Sequence, residues 1–278
     1  MNTRKILLLV MCLCAAAVAH AQFRISLNST EGETYLYRMV TEQQITQNMM
    51  GMTMPSGTRM DFLISYAITE SAIDEVRMDF SLEEIKMEIT SPMMSITIDS
   101  NSDVVQLFQS IIGVPLSVTF GRDGTIKSME GFDIDPASLD MASAAMLETF
   151  NTESMRKMLE QSFGFYPAHE VNIGDSWETT MTTTLQGMDT VSEATYTLVS
   201  VENNVATIGM VINTTMSSDT AELTSSLTGE SIGEMRLDIR TGMIIDSTAS
   251  GTSTGTLSVQ GMDVQMSVDT TITITREQ

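Results

Sequence analysis

Cysteine and histidine are almost missing from this 278-residue sequence, which contains two of each. Both cysteines, Cys12 and Cys14, lie in an N-terminal stretch that we predict is removed on export. The mature chain would then have no thiol and a single histidine, His169. Disulfides, thiolate catalysis and a two-histidine zinc site are therefore excluded.

Basic and aromatic residues are also scarce. The chain has 14 Lys and Arg against 36 Asp and Glu, a formal charge of −22, and aromatic residues make up 5% of it. This composition excludes nucleic-acid binding, because phosphate contacts need clustered basic side chains. It also disfavours a sugar-cleaving site, which usually presents flat rings to its substrate. We predict a non-enzymatic protein with no catalytic residue and no cofactor.

The N-terminus has the features of a secretory signal peptide. Arg4 and Lys5 form the charged start, Ile6 to Val18 form the apolar core, and Ala19-His20-Ala21 is a small-x-small cleavage pattern. We expect cleavage after Ala21 and a location in the periplasm or outside the cell. The apolar core is shorter than the roughly 20 residues that span a bilayer, so we expect no transmembrane span.

Apolar and polar residues alternate along most of the remaining chain. One apolar series occupies every second position from Met60 to Ile68, and another runs from Val76 to Leu82, which is the period of a half-buried strand. The series then shifts by one position at Ile85, which predicts a bulge at 83–84. Turn residues between such series predict hairpins joining neighbouring strands.

One stretch has helical spacing instead. Asp135-Pro136 is a favourable helix start, and apolar residues follow at helical intervals as far as Phe150. Asn151-Thr152 offers a second start, and Gly164 and Pro167 mark the end. These patterns predict a helical hairpin at about 135–164.

The predicted fold is therefore mainly β, with long antiparallel strands in a curved sheet, a half-barrel or a sandwich, around a central helical hairpin. The expected organisation is a signal peptide at 1–21 followed by one β-rich domain at 22–278. An alternative is two β halves, 22–132 and 170–278, joined by the helices at 135–164.

Methionine is unusually frequent, with 25 residues in the chain. We expect no metal site; the alternative is a Cu(I) site, because Met50, Met52 and Met54 would share one face of an extended segment and present three thioethers. Methionines elsewhere occupy ordinary apolar positions, where their flexible side chains adapt to varied partners. We expect an apolar cavity behind the strands and helices, lined by Met60, Phe62, Ile64, Met78, Phe80, Met146, Phe150, Met158, Trp177, Met235 and Leu237.

The segment from Phe165 to Trp177 resembles an uncharacterised family of exported, β-rich envelope proteins of Gram-negative bacteria. Tyr166-Pro167, Val171 and Gly174-Asp175-Ser176-Trp177 carry the resemblance, where the chain leaves the helices and enters a strand. The family has no assigned function, so the resemblance implies an envelope location and a β fold but no catalytic residues.

Three functional hypotheses follow. The leading one is an exported, non-enzymatic envelope protein that binds a lipid-like or other apolar small molecule in the methionine-lined cavity. The second is a structural or adhesive envelope module that has no pocket and contacts another envelope protein. The third is a methionine-based copper-binding protein.

Overall fold

The computed structural model describes residues 22–49, 51–99, 111–130, 152–185, 188–219, 223–259 and 262–277. These residues form one helix, α1 (Thr152–Phe163), and twelve strands. The strands are β1 (Thr34–Met49), β2 (Met52–Ser71), β3 (Glu75–Ser91), β4 (Met94–Asp99), β5 (Leu116–Gly121), β6 (Ile126–Met129), β7 (Ser176–Leu185), β8 (Met188–Glu202), β9 (Val205–Asp219), β10 (Leu223–Asp238), β11 (Ile244–Val259) and β12 (Met262–Glu277).

All twelve strands belong to one open antiparallel sheet. Their order is β6-β5-β3-β2-β1-β12-β11-β10-β9-β8-β7, and β4 pairs with the distal part of β3. Two meanders meet where β1 pairs with β12. The prediction of a mainly β, antiparallel fold is confirmed. The sandwich alternative is wrong, since every strand in the described part of the chain lies in the same sheet.

The period-two pattern places one apolar set on the inner face of the sheet. Val76, Met78 and Phe80 of β3 are buried, while the residues between them are partly exposed. Ile64 is opposite Leu82, whereas Leu63 is opposite Glu84, so the bulge that the sequence predicts is present at Glu83. The bulge restores the inward direction of the apolar residues that follow it.

Helix α1 matches the second half of the predicted helical hairpin. Its buried residues Met155, Leu159 and Phe163 recur at helical spacing on one face. The helix ends where the Gly164 N–H donates to the Glu160 carbonyl at 2.8 Å. The first predicted helix lies in residues 131–151, outside the described residues, so the hairpin as a whole is not confirmed.

The sheet is strongly curved around the end of α1. Phe120 of β5 and Trp177 of β7 are nine strands apart, which is about 43 Å in a flat sheet. Yet the Phe163 ring lies 4.6 Å from the Phe120 ring, and the Trp177 indole donates to the Phe165 carbonyl at 2.6 Å. A three-residue segment therefore bridges distant strands, which is possible only if the sheet wraps around it.

The N-terminal segment 22–29 closes one end of this curved sheet, which we call the base. The Leu27 N–H donates to the Arg122 carbonyl at 2.9 Å, and the Asn28 N–H donates to the Thr241 carbonyl at 2.7 Å. These bonds tie the turn after β5 to the turn after β10, and Ile25 and Leu27 of the segment are buried. The opposite end, with the β1–β2 and β3–β4 turns, is called the tip.

Gly242 in the base supports a prediction about stability. Its φ is +75°, and a Cβ there would lie 2.2 Å from the Ser26 carbonyl oxygen. We expect Gly242→Ala to lower the free energy of unfolding by about 2–4 kcal/mol, since backbone strain and a steric clash combine. Urea denaturation followed by Trp177 fluorescence measures this change.

Gly32 provides the matched control. Its φ is +87°, but no atom of the described residues lies within 4 Å of the position that a Cβ would take. Gly32→Ala is expected to cost only the backbone strain, about 1–2 kcal/mol. Equal losses in the two variants would contradict the proposed close contact between Gly242 and the N-terminal segment.

Candidate functional site

The space between α1 and the inner face of the sheet contains two small apolar recesses. The first is about 40 Å³ and lies beside the C-terminal half of the helix. It is lined by Tyr37, Met39, Ile64, Tyr66, Met158, Ser162, Phe163, Phe165, Tyr166, Met243, Ile244 and Ile274.

The second recess is also about 40 Å³ and lies nearer the tip. Its walls are entirely apolar, and they are formed by Met39, Phe62, Ile64, Phe80, Leu82, Ile111, Met155 and Met158. Met39, Ile64 and Met158 line both recesses, so these three side chains form the partition between them. Two of the three are methionines, which change rotamer at low cost.

Three tyrosines and Ser162 give the first recess its polar groups. The Tyr37 hydroxyl donates to the Ile244 carbonyl, and the Tyr166 hydroxyl donates to the Gly242 carbonyl, each at 2.7 Å. Burial raises the pKa of Tyr37 and of Tyr66 well above the ordinary tyrosine value. The hydroxyls therefore stay neutral at physiological pH, and the recess is suited to an uncharged, apolar occupant.

The apolar inner face continues beyond α1 toward the tip as a half-buried strip, which we call the trough. Strand β2 has 20 residues and spans about 66 Å, whereas the 12-residue helix spans about 18 Å. The half-buried apolar side chains of the trough are Ile45, Met60, Met87, Ile89, Ile98, Met181, Ile212, Met216, Met266 and Val268.

The cavity residues expected from the sequence fall into several places. Phe62, Ile64, Phe80 and Met158 line the recesses, and Met60 lies in the trough. The structure buries the other described candidates in the packed core, away from the recesses; these are Met78, Trp177, Met235 and Leu237. Met146 and Phe150 lie outside the described residues.

The copper triad is described only in part. Met52 and Met54 lie two positions apart on β2 and are 60% and 38% exposed, while Met50 is outside the described residues. No group of three or more His, Cys, Asp or Glu in the described part of the chain could hold a metal ion. The methionine-based copper site stays a prediction.

Sequence reasoning missed the residues that β1 and the turn before β11 contribute to the first recess. Tyr37 and Met39 alternate with Leu36 and Arg38, which is a recognisable strand pattern. Met243 and Ile244 reach the recess because the turn at 239–243 is tied to the N-terminal segment. That long-range connection has no local sequence signal.

The sequence also contains two G-x-S-x-G patterns, at Gly229 to Gly233 and at Gly251 to Gly255, which sequence reasoning missed. In a hydrolase this pattern forms a tight turn between a strand and a helix. Here both patterns lie inside strands. Ser231 of β10 is opposite Ile212 and Gly251, and Ser253 of β11 is opposite Gly229 and Val268. A mid-strand serine lacks the turn geometry of a nucleophile elbow.

Asp238 fixes the turn that carries Met243 and Ile244. Its carbonyl accepts from the Gly242 N–H at 2.7 Å, and its carboxylate accepts three hydrogen bonds from the backbone and side chain of Arg240. These bonds, chiefly the one from the Arg240 side chain, hold the pKa of Asp238 below its usual value. The charged form of this buried carboxylate thus stabilises the rim of the first recess.

The sequence matches a protein-family model over more than half of its length. A model described as "Family of unknown function (DUF6263)" matches residues 74–244, from the start of β3 to the start of β11. No curated protein matches the sequence. No helix among the described residues is long and apolar enough to cross a membrane.

Among solved structures, the fold is similar to one described as "Lipid-protein interactions in lipovitellin". The TM-score is 0.50 at 10% sequence identity, over 90% of this chain and 25% of that chain, so the protein spans about a quarter of the lipovitellin chain. Pseudomonas aeruginosa OccK5 (OpdH) gives a TM-score of 0.23 at 4% identity, covering 90% of this chain and 100% of that one. Salmonella typhi OmpF in complex with daunomycin gives 0.23 at 6% identity, with 87% and 98% covered. The last two scores are too low to inform the fold.

The Asp238 interaction predicts a pH-dependent stability difference. Asp238→Asn should lower the free energy of unfolding by about 1 kcal/mol at pH 7. The effect is small because Arg240 is 69% exposed, so water weakens its interaction with the carboxylate. Since the folded pKa is lower than the unfolded value of about 3.9, this stabilisation is present above pH 4 and is lost as the pH falls through the folded pKa.

Urea titrations of both proteins at pH 7, 5 and 3 measure that difference. The two curves are expected to differ at pH 7 and 5, and the difference should be smaller at pH 3. A gap that stays constant over the whole pH range would mean that the carboxylate charge has no part in holding the turn.

Proposed function

Since the chain belongs to the family of unknown function (DUF6263), we propose its role from its geometry: it binds the acyl chain of a lipid-like molecule along the inner face of the sheet. The proposal includes export to the bacterial envelope and the absence of enzymatic activity. The observation that carries it is the pair of apolar recesses whose linings share Met39, Ile64 and Met158, on the same face of the sheet as the trough.

The shape of this surface supports an elongated ligand. The recesses lie between α1 and the strands, and the trough extends from them toward the tip with apolar side chains from both meanders. An acyl chain gains about 0.8 kcal/mol for each methylene group that it buries, so a long contact along the sheet gives useful affinity without a polar partner.

The small volume of each recess requires the side chains to move when a ligand binds. Pockets for small molecules commonly measure about 300–1,000 Å³, far more than the space between α1 and the sheet. Rotation of Met39 and Met158 would join the two recesses into one channel. Methionine suits this role because its unbranched side chain adopts many shapes of similar energy.

The likeness to lipovitellin agrees with this proposal at the level of fold. That structure is described in terms of lipid-protein interactions, and it shares a TM-score of 0.50 with the present chain. At 10% identity the comparison concerns the fold alone, so the argument for a lipid-like ligand depends on the residues that line the recesses.

A structural envelope module is the second candidate. The observation that favours it is the close packing around α1, where Leu159 is fully buried and the space on either side is about 40 Å³. A protein of this kind would keep a filled core and would carry no ligand.

Native mass spectrometry of the protein purified from a Gram-negative envelope distinguishes the two candidates. A bound mass in the range of a lipid, lost on extraction with organic solvent, is expected if the protein binds lipid. A single mass equal to that of the polypeptide, together with no uptake of a pyrene-labelled fatty acid, would favour the structural module.

Substitution of Met158 tests the location of the site. Met158→Trp fills both recesses with a rigid ring, so we expect pyrene-labelled fatty acid to bind at least about tenfold more weakly, equal to roughly 1.4 kcal/mol. Fluorescence titration gives the dissociation constants.

The matched control is Val211→Trp, which adds the same ring to the outer face of β9, where Val211 is 36% exposed. This variant should bind the fatty acid like the unmodified protein. Equal weakening in both variants, or no weakening in Met158→Trp, would rule out the space beside α1 as the binding site.

A further inference from the structure

Two neighbouring hairpins at the tip expose large apolar side chains to solvent. In β2, next to the β1–β2 turn, Met52 is 60% exposed and Met54 is 38% exposed. In the β3–β4 turn and the start of β4, Met93 is 96% exposed and Met94 is 56% exposed. Because β2 and β3 are paired, both hairpins project from the same part of the sheet, and we call this surface the methionine tip.

The methionine tip also lacks charge. Residues 43–58 and 89–98 contain no Asp, Glu, Lys or Arg, although charged residues make up 18% of the chain. The corresponding end of the other meander is different, since Asp189 lies at the start of β8 and Asp263 at the start of β12. A protein with a formal charge of −22 therefore presents one uncharged, apolar end.

The methionine tip is continuous with the trough. Met54 is paired with Gln47, Ile96 is paired with Ile89, and directly paired residues lie on the same face of the sheet. Ile96 is 38% exposed, and Ile89 next to it is one of the half-buried residues of the trough. The corresponding end of the other meander does not expose its described apolar residues in this way. Leu227 of β10 and Val264 of β12, on the inner face there, are only 5% and 8% exposed.

From these observations we infer that the methionine tip docks on the surface of a neutral lipid bilayer, and that the trough receives its ligand there. This inference rests on the proposed lipid-binding function. A paired hairpin can lie in the interfacial region because cross-strand pairing satisfies the backbone groups that face the partner strand, as between Met94 and Ser91, while water at the interface remains available to the outer edge. The exposed methionines then replace contacts with water by contacts with acyl chains.

The charge of the lipid headgroups determines which bilayer the methionine tip binds. The negative charge of the whole protein opposes an anionic membrane, and the methionine tip has no basic residue to offset it. A zwitterionic surface imposes no such repulsion. Binding to phosphatidylcholine vesicles should therefore exceed binding to vesicles that contain phosphatidylglycerol, most clearly at low salt.

Vesicle flotation tests the inference. The full chain is expected to float with phosphatidylcholine vesicles, and the double variant Met52→Asp/Met94→Asp should lose at least about tenfold in binding, because burying two carboxylates in the interface is unfavourable. The control is Ile173→Asp/Ile232→Asp, which adds the same two charges at positions that are 55% and 60% exposed elsewhere on the surface. The control should float like the unmodified protein.

Native mass spectrometry of the same samples separates this inference from the proposed function. Full chain that carries lipid but does not float would overturn docking and leave lipid binding intact. Full chain that floats through the methionine tip but carries no lipid would support docking and contradict the proposed function.

Analytical ultracentrifugation of the tip variant and its control completes the test. If the full chain were a dimer that the Met52/Met94 substitutions dissociate, and if it did not bind vesicles, the tip would be a contact between copies of this chain and the inference would be wrong. Loss of flotation in both double variants to the same degree would also overturn it, since charge alone would then explain the result.

Discussion

The structure depends on the pairing of β1 with β12. This contact joins strands that are more than 200 residues apart, and its register runs from Leu36 opposite Glu277 to Asn48 opposite Gln265. Without it the two meanders would be separate sheets, each with an uncovered apolar face and one further edge. With it they share a single inner face, and α1 together with the N-terminal segment can cover the base of both meanders at once.

Curvature then decides where the inner face is filled. At the base, Phe163 and Phe165 contact strands from both meanders, so the sheet closes tightly around the end of the helix. Glycines on the inner face of β10 and β11 assist this bending: a Cβ at Gly251 would lie 2.2 Å from the Ser231 hydroxyl, a distance that only glycine tolerates. Toward the tip the strands extend beyond the end of α1. The alternation of apolar and polar residues that forms the core continues there as the half-buried trough.

The sequence predicted those elements of the fold whose pattern lies within a short stretch of residues. Alternation identified β2 and β3, and the shift after Leu82 identified the bulge. The start signal at Asn151-Thr152 and the stop signal at Gly164 identified α1. The positions of Met78 and Leu237 were harder to assign, because alternation shows that a residue points inward but not whether a helix packs over it. Three features depend on contacts between residues far apart in the sequence, so no short segment of sequence predicts them. These are the strand order, the hydrogen bond between Asn28 and Thr241, and the position of Met39 in the lining of both recesses.

The choice of methionine connects packing to the proposed function. A leucine at Met39 or Met158 would fill a similar volume, but its branched side chain has fewer rotamers and would form a more rigid partition. Two recesses of about 40 Å³ leave little free space between α1 and the sheet, which keeps the base of the sheet well packed and stable. A partition of flexible side chains still allows the space to become larger when an apolar chain supplies the contacts that the methionines give up. The same core can therefore be both well packed and able to bind an apolar chain, provided that binding moves the side chains and not the strands.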